Sequence, residues 1–505
     1  MLMPVANPRE QRMAAVRDRL AKSVFWLTWS RVTLQLLSLV STIVVARLLD
    51  PTDYGLMALA GVWTSIVALL SEFGLGAAIV QFRRLEDRQL NACFWLSFSV
   101  ALSGYAVMYV TAPFLAAWFR SALLADVLRV AALSILLLAF RVVPDGLLRR
   151  RLEFDKVSRA EIAGAVASIP VVVGMAWTGA GVWALVTGVL VGSLVQTLIL
   201  FWVADWMPSL TVGRPMLREV LSYSASTAGS RICWVAYEHA DAFILGKISG
   251  DAILGGYSIA KQLVLMPVEK IAGMVNHLAM PVLAELQEDR MAMRAVFLKA
   301  IRLVALSTFP LCVGLALVAQ DLVRVVLTDK WIRAVPLIQI LGPYALIRSV
   351  SVLLPPVLMT RFRSQFLLGY NITLLAIMPL AFATGAVWLD DVGVALAWVA
   401  VYPIVLLILT AEVLRTVDLS WSTLGRQLWP PIAGTLVMTA SVILVRWAGS
   451  PLTANSAVGR LALTTLVGAA AYAATVIACA GPARGDIREV TMWLWRLHHT
   501  PTPVK

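Results

Sequence analysis

Charged residues are scarce in this chain of 505 residues. Only 14% are Asp, Glu, Lys or Arg, whereas 60% are hydrophobic, and the mean hydropathy is +0.82. Soluble globular domains carry about 25% charged residues, so a soluble enzyme or binding domain is excluded. Cysteine is scarce too. The sequence has 4 cysteines, scattered without the spacing of a metal site or a disulfide framework. We therefore expect no metal and no cofactor.

Long loops are also missing. No connection between the apolar runs exceeds about 20 residues, which leaves no room for a separate catalytic domain. The sequence contains neither a phosphate-binding P-loop nor an HExxH zinc motif. The acidic pair Asp390-Asp391 lies in a connection too short to build a metal-dependent glycosyltransferase site. We therefore expect no enzyme and no catalytic residues.

Apolar runs of about 20 residues, the length that crosses a bilayer, recur along the whole chain. They predict an all-α, polytopic membrane protein with about fourteen transmembrane helices. The predicted spans are 22–47, 54–79, 92–118, 123–147, 159–178, 181–204, 218–247, 253–280, 296–318, 334–358, 364–387, 391–413, 428–448 and 459–480.

The net charge of +13 would suit nucleic acid, but the distribution of the basic residues favours another explanation. Most of them fall in alternate connections, which lie on one side of the membrane. The clearest clusters are Arg83, Arg84 and Arg88, then Arg149 to Arg151, then Arg290 and Arg294. The positive-inside rule therefore places both termini in the cytoplasm, with no nucleic acid as partner. Recognition of anionic lipid head groups is the alternative role for these clusters.

An internal repeat relates the two halves of the chain. When 30–51 is set above 230–251, Ser30 faces Ser230 and Arg31 faces Arg231 without a gap. Both segments would run from inside to outside, so the halves are expected to be parallel repeats, in two pseudo-symmetric lobes around a central cavity. The predicted divisions are a cytoplasmic segment 1–21, an N-lobe 22–210 (helices 1–6), a C-lobe 211–413 (helices 7–12), two further helices in 414–480 and a cytoplasmic tail 481–505.

Several predicted spans carry charged side chains. A charge at the bilayer centre costs about 2.5–3.5 kcal/mol even on the mildest scale, so each must face a partner or a wet cavity. Bases outnumber acids, and an electropositive cavity suits an anionic substrate. The predicted substrate-binding residues are Arg31, Gln35, Arg231, Lys261, Lys270 and Arg348. Pro267 is expected to kink the span that carries Lys261 and Lys270.

Acidic residues in the same spans have two interpretations. Glu72, Glu238 and Asp241 could bind a proton or a cation and couple its movement to transport. The alternative is internal ion pairing, of Arg231 with Glu238 or Asp241, and of Lys270 with Glu269 or Glu72. Arg141, near the end of its span, could instead extend its guanidinium to the membrane surface.

Two motifs near the start of the chain resemble a known family. Residues 46–55 read ARLLDPTDYG and residues 73–78 read FGLGAA, and the segment DRQLNACFW follows at 87–95. These resemble the first helices of Wzx-type oligosaccharide flippases, in the multidrug/oligosaccharidyl-lipid/polysaccharide superfamily. In the motifs, Pro51 and Gly55 would shape a turn, and Gly74 and Gly76 would permit close helix packing.

This resemblance implies a function. The chain would move undecaprenyl-diphosphate-linked oligosaccharide repeat units across the bacterial inner membrane by alternating access, for exopolysaccharide, capsule or O-antigen synthesis. Its partners would be this substrate, membrane lipids, and a polysaccharide polymerase with chain-length machinery. The alternatives are a peptidoglycan-precursor flippase or a cation-coupled drug exporter of the same superfamily, or a membrane-embedded oligosaccharide polymerase.

Overall fold

A computed structural model describes residues 37–38, 40–72, 79, 86–151, 153–210, 217–448 and 456–479. Within them every regular element is helical. The α-helices are α1 Pro51–Glu72, α2 Asp87–Phe119, α3 Ala122–Ala131, α4 Leu133–Arg150, α5 Phe154–Trp177, α6 Val182–Ala204, α7 Leu217–Ile248, α8 Asp251–Pro267, α9 Gly273–Glu285, α10 Arg290–Leu322, α11 Ala334–Ser351, α12 Leu354–Thr360, α13 Ser364–Ala400, α14 Tyr402–Thr416, α15 Trp421–Trp447 and α16 Ala457–Cys479.

Ten stretches of the described residues are long and apolar enough to cross a membrane. They are Pro51–Leu69, Asp87–Phe119, Ala122–Arg150, Phe154–Trp177, Val182–Ala204, Arg290–Leu327, Ala334–Thr360, Ser364–Thr416, Trp421–Trp447 and Ala457–Cys479. The prediction of a multi-pass, all-α membrane protein is confirmed. Helix α7 is not among these stretches, and it carries the charged residues Arg231, Glu238, Asp241 and Lys247. The count of fourteen spans stays a prediction.

The long helix α13 contains two antiparallel stretches. Its backbone leaves the helical region at Leu389 and Asp390, where Asp390 has φ 51° and ψ −131°. Gly385 and Gly393 lie against each other across this turn, and a Cβ added to Gly393 would fall 2.0 Å from the Gly385 carbonyl oxygen. Glycine therefore permits the two backbones to pack closely. Two separate spans were predicted here, at 364–387 and 391–413, with a very short connection.

Pro267 ends the regular part of α8. A π-helical turn, Val268–Ala272, follows it directly, and α9 then continues the chain. Proline removes a backbone donor, and the wider π turn accommodates the mismatch. The predicted irregularity therefore lies at the expected place, with Lys270 on the π turn.

The chain forms two compact units, residues 1–258 with 371–394, and residues 259–370 with 395–505. In the first unit, connections predicted to share a membrane side contact each other. Asn91 donates to Ser209 Oγ at 2.6 Å, and Ser249 donates to Asp390 at 3.0 Å. These contacts support the predicted alternation of connections. The cytoplasmic placement of the termini and the predicted domain divisions stay predictions.

Local signals explain where several helices begin. The Glu86 backbone N–H donates to Gln89 Oε1 at 3.0 Å at the start of α2. Asp289 accepts from the Ala292 N–H at 3.0 Å before α10, and Ser420 accepts from the Thr423 N–H at 3.2 Å before α15. Each side chain satisfies a backbone group that the first helical turn leaves unpaired.

The helix starts of α1 and α8 cross closely in the first unit. A Cβ on Gly55 would lie 1.9 Å from the Asp251 carbonyl oxygen, and a Cβ on Gly255 would lie 1.7 Å from that of Pro51. Helix α1 begins at Pro51, so Gly55 lies inside the helix and not in the turn that the motif led us to expect. Its role is to permit the close packing of the two helices. Gly74 and Gly76 lie outside the described residues.

Candidate functional site

Three aromatic side chains form a buried cluster in the second unit. Tyr344, Trp398 and Tyr402 are each at most 1% exposed. The Tyr344 and Trp398 ring centroids lie 4.7 Å apart, and Tyr402 lies 5.4 Å from Tyr344 and 5.8 Å from Trp398. Such tilted and edge-to-face pairs are favourable packing for aromatic rings. We call Tyr344, Trp398 and Tyr402 the aromatic cluster.

Two of the predicted substrate-binding cations contact the aromatic cluster. Lys261 Nζ lies 4.8 Å from the Trp398 ring centroid. Arg348 Nη1 donates to Tyr402 Oη at 3.2 Å, and its guanidinium carbon lies 6.0 Å from the ring centroid. Both residues are half-buried. The fold therefore brings Lys261 and Arg348 to one structural feature.

Helical spacing explains how the arrangement forms. Tyr344 and Arg348 lie four residues apart on α11, so they share a face of that helix. Ser351 Oγ lies 2.9 Å from Tyr402 Oη and holds this hydroxyl from the same helix. An aromatic face attracts a cation and helps to fix its position, and a hydroxyl oxygen accepts a hydrogen bond from it. This arrangement can present positive charge to an anion.

A buried carboxylate lies in the first unit. Asp241 is 1% exposed, and Tyr257 of the neighbouring helix α8 donates to its Oδ2 at 2.6 Å. The Ala242 backbone N–H donates to Oδ1 at 2.7 Å. A hydroxyl and a backbone N–H both stabilise an ionised carboxylate. Among the three predicted ion-coupling acids, Asp241 therefore lies in a well-formed hydrogen-bonding environment.

Other predicted site residues on α7 are more accessible than Asp241. Arg231 is exposed and Glu238 is half-buried. Next to Arg231, Ser230 accepts from Asn371 Nδ2 through its hydroxyl at 2.8 Å and through its carbonyl at 3.1 Å. These bonds connect α7, near Arg231, to α13. The charged residues of α7 therefore extend from the exposed Arg231 to the buried Asp241 along one helix.

The remaining predicted site residues are distributed differently. Lys270 is exposed on the π turn, whereas the cations described at the aromatic cluster are Lys261 and Arg348. Arg31, Gln35 and the side chain of Glu72 lie outside the described residues. Arg141 donates to Gln196 of α6, so a helix partner holds its guanidinium.

Aromatic residues were missing from the predicted site. Trp398 and Tyr402 lie in the predicted span 391–413, and Tyr344 lies in the predicted span 334–358. One signal was present: Tyr344 and Arg348 share the spacing of helical neighbours, as do Trp398 and Tyr402. The pairing of these two faces depends on helix packing, which the sequence pattern does not specify.

Comparison with known sequences identifies relatives. The family model described as polysaccharide biosynthesis protein matches residues 44–336. The lipopolysaccharide biosynthesis protein WzxC of Escherichia coli (strain K12) is 26% identical over 411 residues, which are 77% of this chain and 79% of that protein. The teichuronic acid biosynthesis protein TuaB of Bacillus subtilis (strain 168) is 24% identical, over 66% of this chain and 70% of that protein.

Solved structures with a similar fold are transporters. The lipid II flippase MurJ in an inward closed conformation aligns with a TM-score of 0.67 and 12% identity, covering 90% of this chain and 98% of that one. An inward-facing multidrug resistance MATE family transporter of the MOP superfamily aligns with a TM-score of 0.60 and 16% identity, over 77% and 99% of the two chains. The family model spans more than half of the residues, and this chain therefore belongs to the polysaccharide biosynthesis protein family.

Proposed function

We propose that this protein is a flippase that moves a diphosphate-linked oligosaccharide lipid from the inner to the outer leaflet of the bacterial inner membrane. The observation that carries the proposal is the pair of cations, Lys261 and Arg348, oriented by the aromatic cluster in a chain of this family. Relatives named for lipopolysaccharide and teichuronic acid synthesis support a polysaccharide pathway.

The chemistry of such a substrate matches these residues. A diphosphate needs cationic partners, and the planar guanidinium of Arg348 suits two-point contact with phosphate oxygens. Lys261 supplies a compact second charge. Arg31, Gln35, Arg231 and Lys270 are proposed to extend the polar path, on the strength of their places in the predicted spans. The lipid tail can stay in the bilayer while the sugar crosses through a hydrated route.

Alternating access is the mechanism that we propose for the movement. The fold is similar to those of a lipid II flippase and of a MATE transporter. In such transporters, repeats move as rigid bodies around a site near the membrane midplane. A polysaccharide polymerase and its chain-length machinery are proposed to take the product on the outer side. Both termini are proposed to lie in the cytoplasm, because the basic connections favour that orientation.

Complementation of a deletion strain tests the proposal. Lys261→Ala and Arg348→Ala should each lower surface polysaccharide at least tenfold, because a hydrogen bond to a charged group contributes about 1.5–3 kcal/mol. Arg31→Ala and Arg231→Ala test the other half of the predicted site. Lipid-linked repeat units should accumulate in the same cells, and immunoblotting should show normal protein abundance.

Arg159→Ala is the matched control. Arg159 is 62% exposed and pairs with Asp155 on the surface of α5 at 3.2 Å, so its loss removes a charge without touching the site. Export should stay near the native level. Normal export in all four site variants would overturn the assignment of these cations. Intact surface polysaccharide in the deletion strain itself would overturn the flippase function.

A cation-coupled drug exporter is the second candidate, and the buried Asp241 is the observation that favours it. An acid enclosed in a transport protein can take up a proton or a cation in one state and release it in another. We propose the same coupling role for Glu238 and Glu72. Drug accumulation in the deletion strain, measured with a fluorescent cationic dye, distinguishes the candidates, because a polysaccharide flippase predicts no change.

A further inference from the structure

Arginine side chains gather in a pocket of the second unit whose lining residues differ from those of the aromatic cluster. The cavity has a volume of about 490 Å³ and is lined by Arg290, Arg361, Arg363, Glu412, Arg415 and Thr416. This volume falls within the range of about 300–1,000 Å³ that is usual for small-ligand sites. We call it the arginine pocket.

Three connections of the second unit meet at the arginine pocket. Arg290 is the first residue of α10, Arg361 and Arg363 flank the turn between α12 and α13, and Arg415 lies in the last turn of α14. Arg361 donates to the carbonyl oxygen of Gln287, which ties the α12–α13 turn to the segment before α10. The pocket therefore forms only when these helices are packed.

The backbone places Arg361 and Arg363 on either side of an unusual residue. Phe362 has φ 56° and is 84% exposed. A left-handed conformation costs a non-glycine residue about 1–2 kcal/mol. The Arg363 backbone N–H donates to the Leu358 carbonyl at 2.9 Å, which closes the turn and offsets part of this cost. The turn thus presents two guanidinium groups from neighbouring positions.

Positive charge exceeds negative charge in the arginine pocket. Four arginines line it with a single carboxylate, Glu412, which pairs with Arg363. Arg290 also contacts Asp418, at 2.8 Å, but that carboxylate is 65% exposed and therefore well screened by water. Arg415 is exposed and Arg361 is half-buried. A surplus of guanidinium groups around a cavity is the chemistry that binds phosphate oxygens.

We infer that the arginine pocket binds a phosphate ester carried by a membrane lipid. The three connections are predicted to lie on the cytoplasmic side, where phosphate head groups surround the protein. The phosphate could belong to an anionic phospholipid or to the diphosphate of the lipid-linked substrate before translocation. The second source rests on the proposed function, whereas the pocket's affinity for a phosphate ester does not.

Direct binding to the purified full-length protein in phosphatidylcholine nanodiscs tests the inference. The probes are phosphatidylglycerol, undecaprenyl diphosphate and inorganic pyrophosphate, and native mass spectrometry or thermal shift gives the apparent Kd of each. Arg415→Gln and Arg290→Gln should each weaken binding of the preferred probe about tenfold, as expected for the loss of one charge-assisted contact. Arg159→Gln, which removes one surface charge elsewhere, should leave the Kd within about twofold of the native value.

A variant that should tighten binding, where the arginine variants weaken it, strengthens the test. Glu412→Gln removes the carboxylate that pairs with Arg363, so it should tighten binding severalfold. Arginine-dependent binding of both lipids assigns the pocket to head groups in general, whereas binding of undecaprenyl diphosphate and pyrophosphate without phosphatidylglycerol assigns it to the diphosphate. Equal Kd values for the native protein and all three pocket variants, or no binding of any probe, would overturn the inference. Export assays are separate, so the proposed function can fail without affecting this result.

Discussion

Gly55 and Gly255 lie two hundred positions apart, and each packs against the backbone at the start of the other's helix. The contact of Gly55 with Asp251 and the contact of Gly255 with Pro51 are related by the same offset that aligns Arg31 with Arg231. The two contacts are reciprocal, because each helix start lies against the glycine of the other helix. The internal duplication stays a prediction, since the aligned segments 30–51 and 230–251 end before either glycine.

This crossing predicts that alanine is not tolerated at either glycine. Gly55→Ala and Gly255→Ala place a methyl group 1.9 and 1.7 Å from a carbonyl oxygen, so the helices must separate. Overpacking of this kind costs about 1–3 kcal/mol, and we expect a lower Tm in detergent, measured by intrinsic fluorescence. Gly61→Ala and Gly256→Ala are the controls, because neither added Cβ has an atom within 4 Å. Equal effects at all four positions would contradict the close crossing.

Asp321 should contribute to the docking of helices α15 and α16. Its carboxylate accepts from Arg446 at 2.8 Å and from Arg460 at 3.2 Å, and its side chain is 8% exposed. The two arginines are about one third exposed, so Asp321→Asn should cost about 1–2 kcal/mol rather than the larger loss of a fully buried pair. Thermal unfolding in detergent measures this loss.

A surface pair gives the control for Asp321. Asp126 is 61% exposed and lies 3.5 Å from Arg129 on one helix turn. Asp126→Asn should therefore change stability by no more than about 0.5 kcal/mol. A loss of stability at Asp126 as large as that at Asp321 would contradict a structural role for the Asp321 pairings.

The hydroxyl of Tyr402 should matter for transport, separately from its ring. Tyr402→Phe keeps the aromatic cluster but removes the hydrogen bond with Arg348. Because Arg348 then loses one orienting contact, we expect export to fall about tenfold or less, with normal protein abundance. Ser351→Ala removes only the other hydroxyl near Tyr402 Oη and should have a smaller effect. Native export in Tyr402→Phe would show that this contact does not serve the site.

Asp241 and Tyr257 should behave as one unit in a double-mutant cycle. Tyr257→Phe removes the hydroxyl that donates to Asp241 Oδ2, and Asp241→Asn weakens the same bond from the other side. A hydrogen bond to a charged group contributes about 1.5–3 kcal/mol. The double variant should therefore be less destabilised than the sum of the single variants, as measured by urea or thermal unfolding. Strict additivity would contradict the bond.

Asp251 predicts a pH dependence of stability. Burial raises the pKa of its carboxyl above the usual 3.8, although a hydrogen bond with Ser121 lowers it. A raised folded pKa means that ionised Asp251 is destabilising. Its contribution to stability therefore falls as the pH rises from 3.8 through the raised pKa, and then stays constant. The Tm of Asp251→Asn should exceed the native Tm above this range and converge with it below; a constant difference would contradict the shift.

Much of the architecture could be predicted because its signals are local. Apolar runs marked the spans, Pro267 marked the π turn after α8, and the very short connection at Asp390 marked the hairpin of α13. Gly55 was interpreted less well, because a glycine four residues after Pro51 suits a turn as readily as a helix crossing. Only the approach of Asp251 distinguishes the two roles.

The candidate site could be predicted only in part. A charged residue in an apolar span stands out, so Lys261, Arg348 and Asp241 were identified from the sequence. Trp398 and Tyr402 did not stand out, because aromatic residues are common in membrane spans. The arginine pocket was visible only as basic connections, since the positive-inside rule explains such residues without any site.

By itself, the sequence determined that this protein crosses the membrane many times and which spans carry charge, and it predicted that the two halves repeat. Composition and helical periodicity are enough for these conclusions, because the bilayer requires every spanning segment to be apolar and to satisfy its own backbone. The tertiary structure alone decided that Lys261 and Arg348 share one aromatic cluster and that four arginines line one cavity. Helical periodicity predicts which residues share one face of a helix. Only the packing of the helices decides which face of a neighbouring helix lies against it.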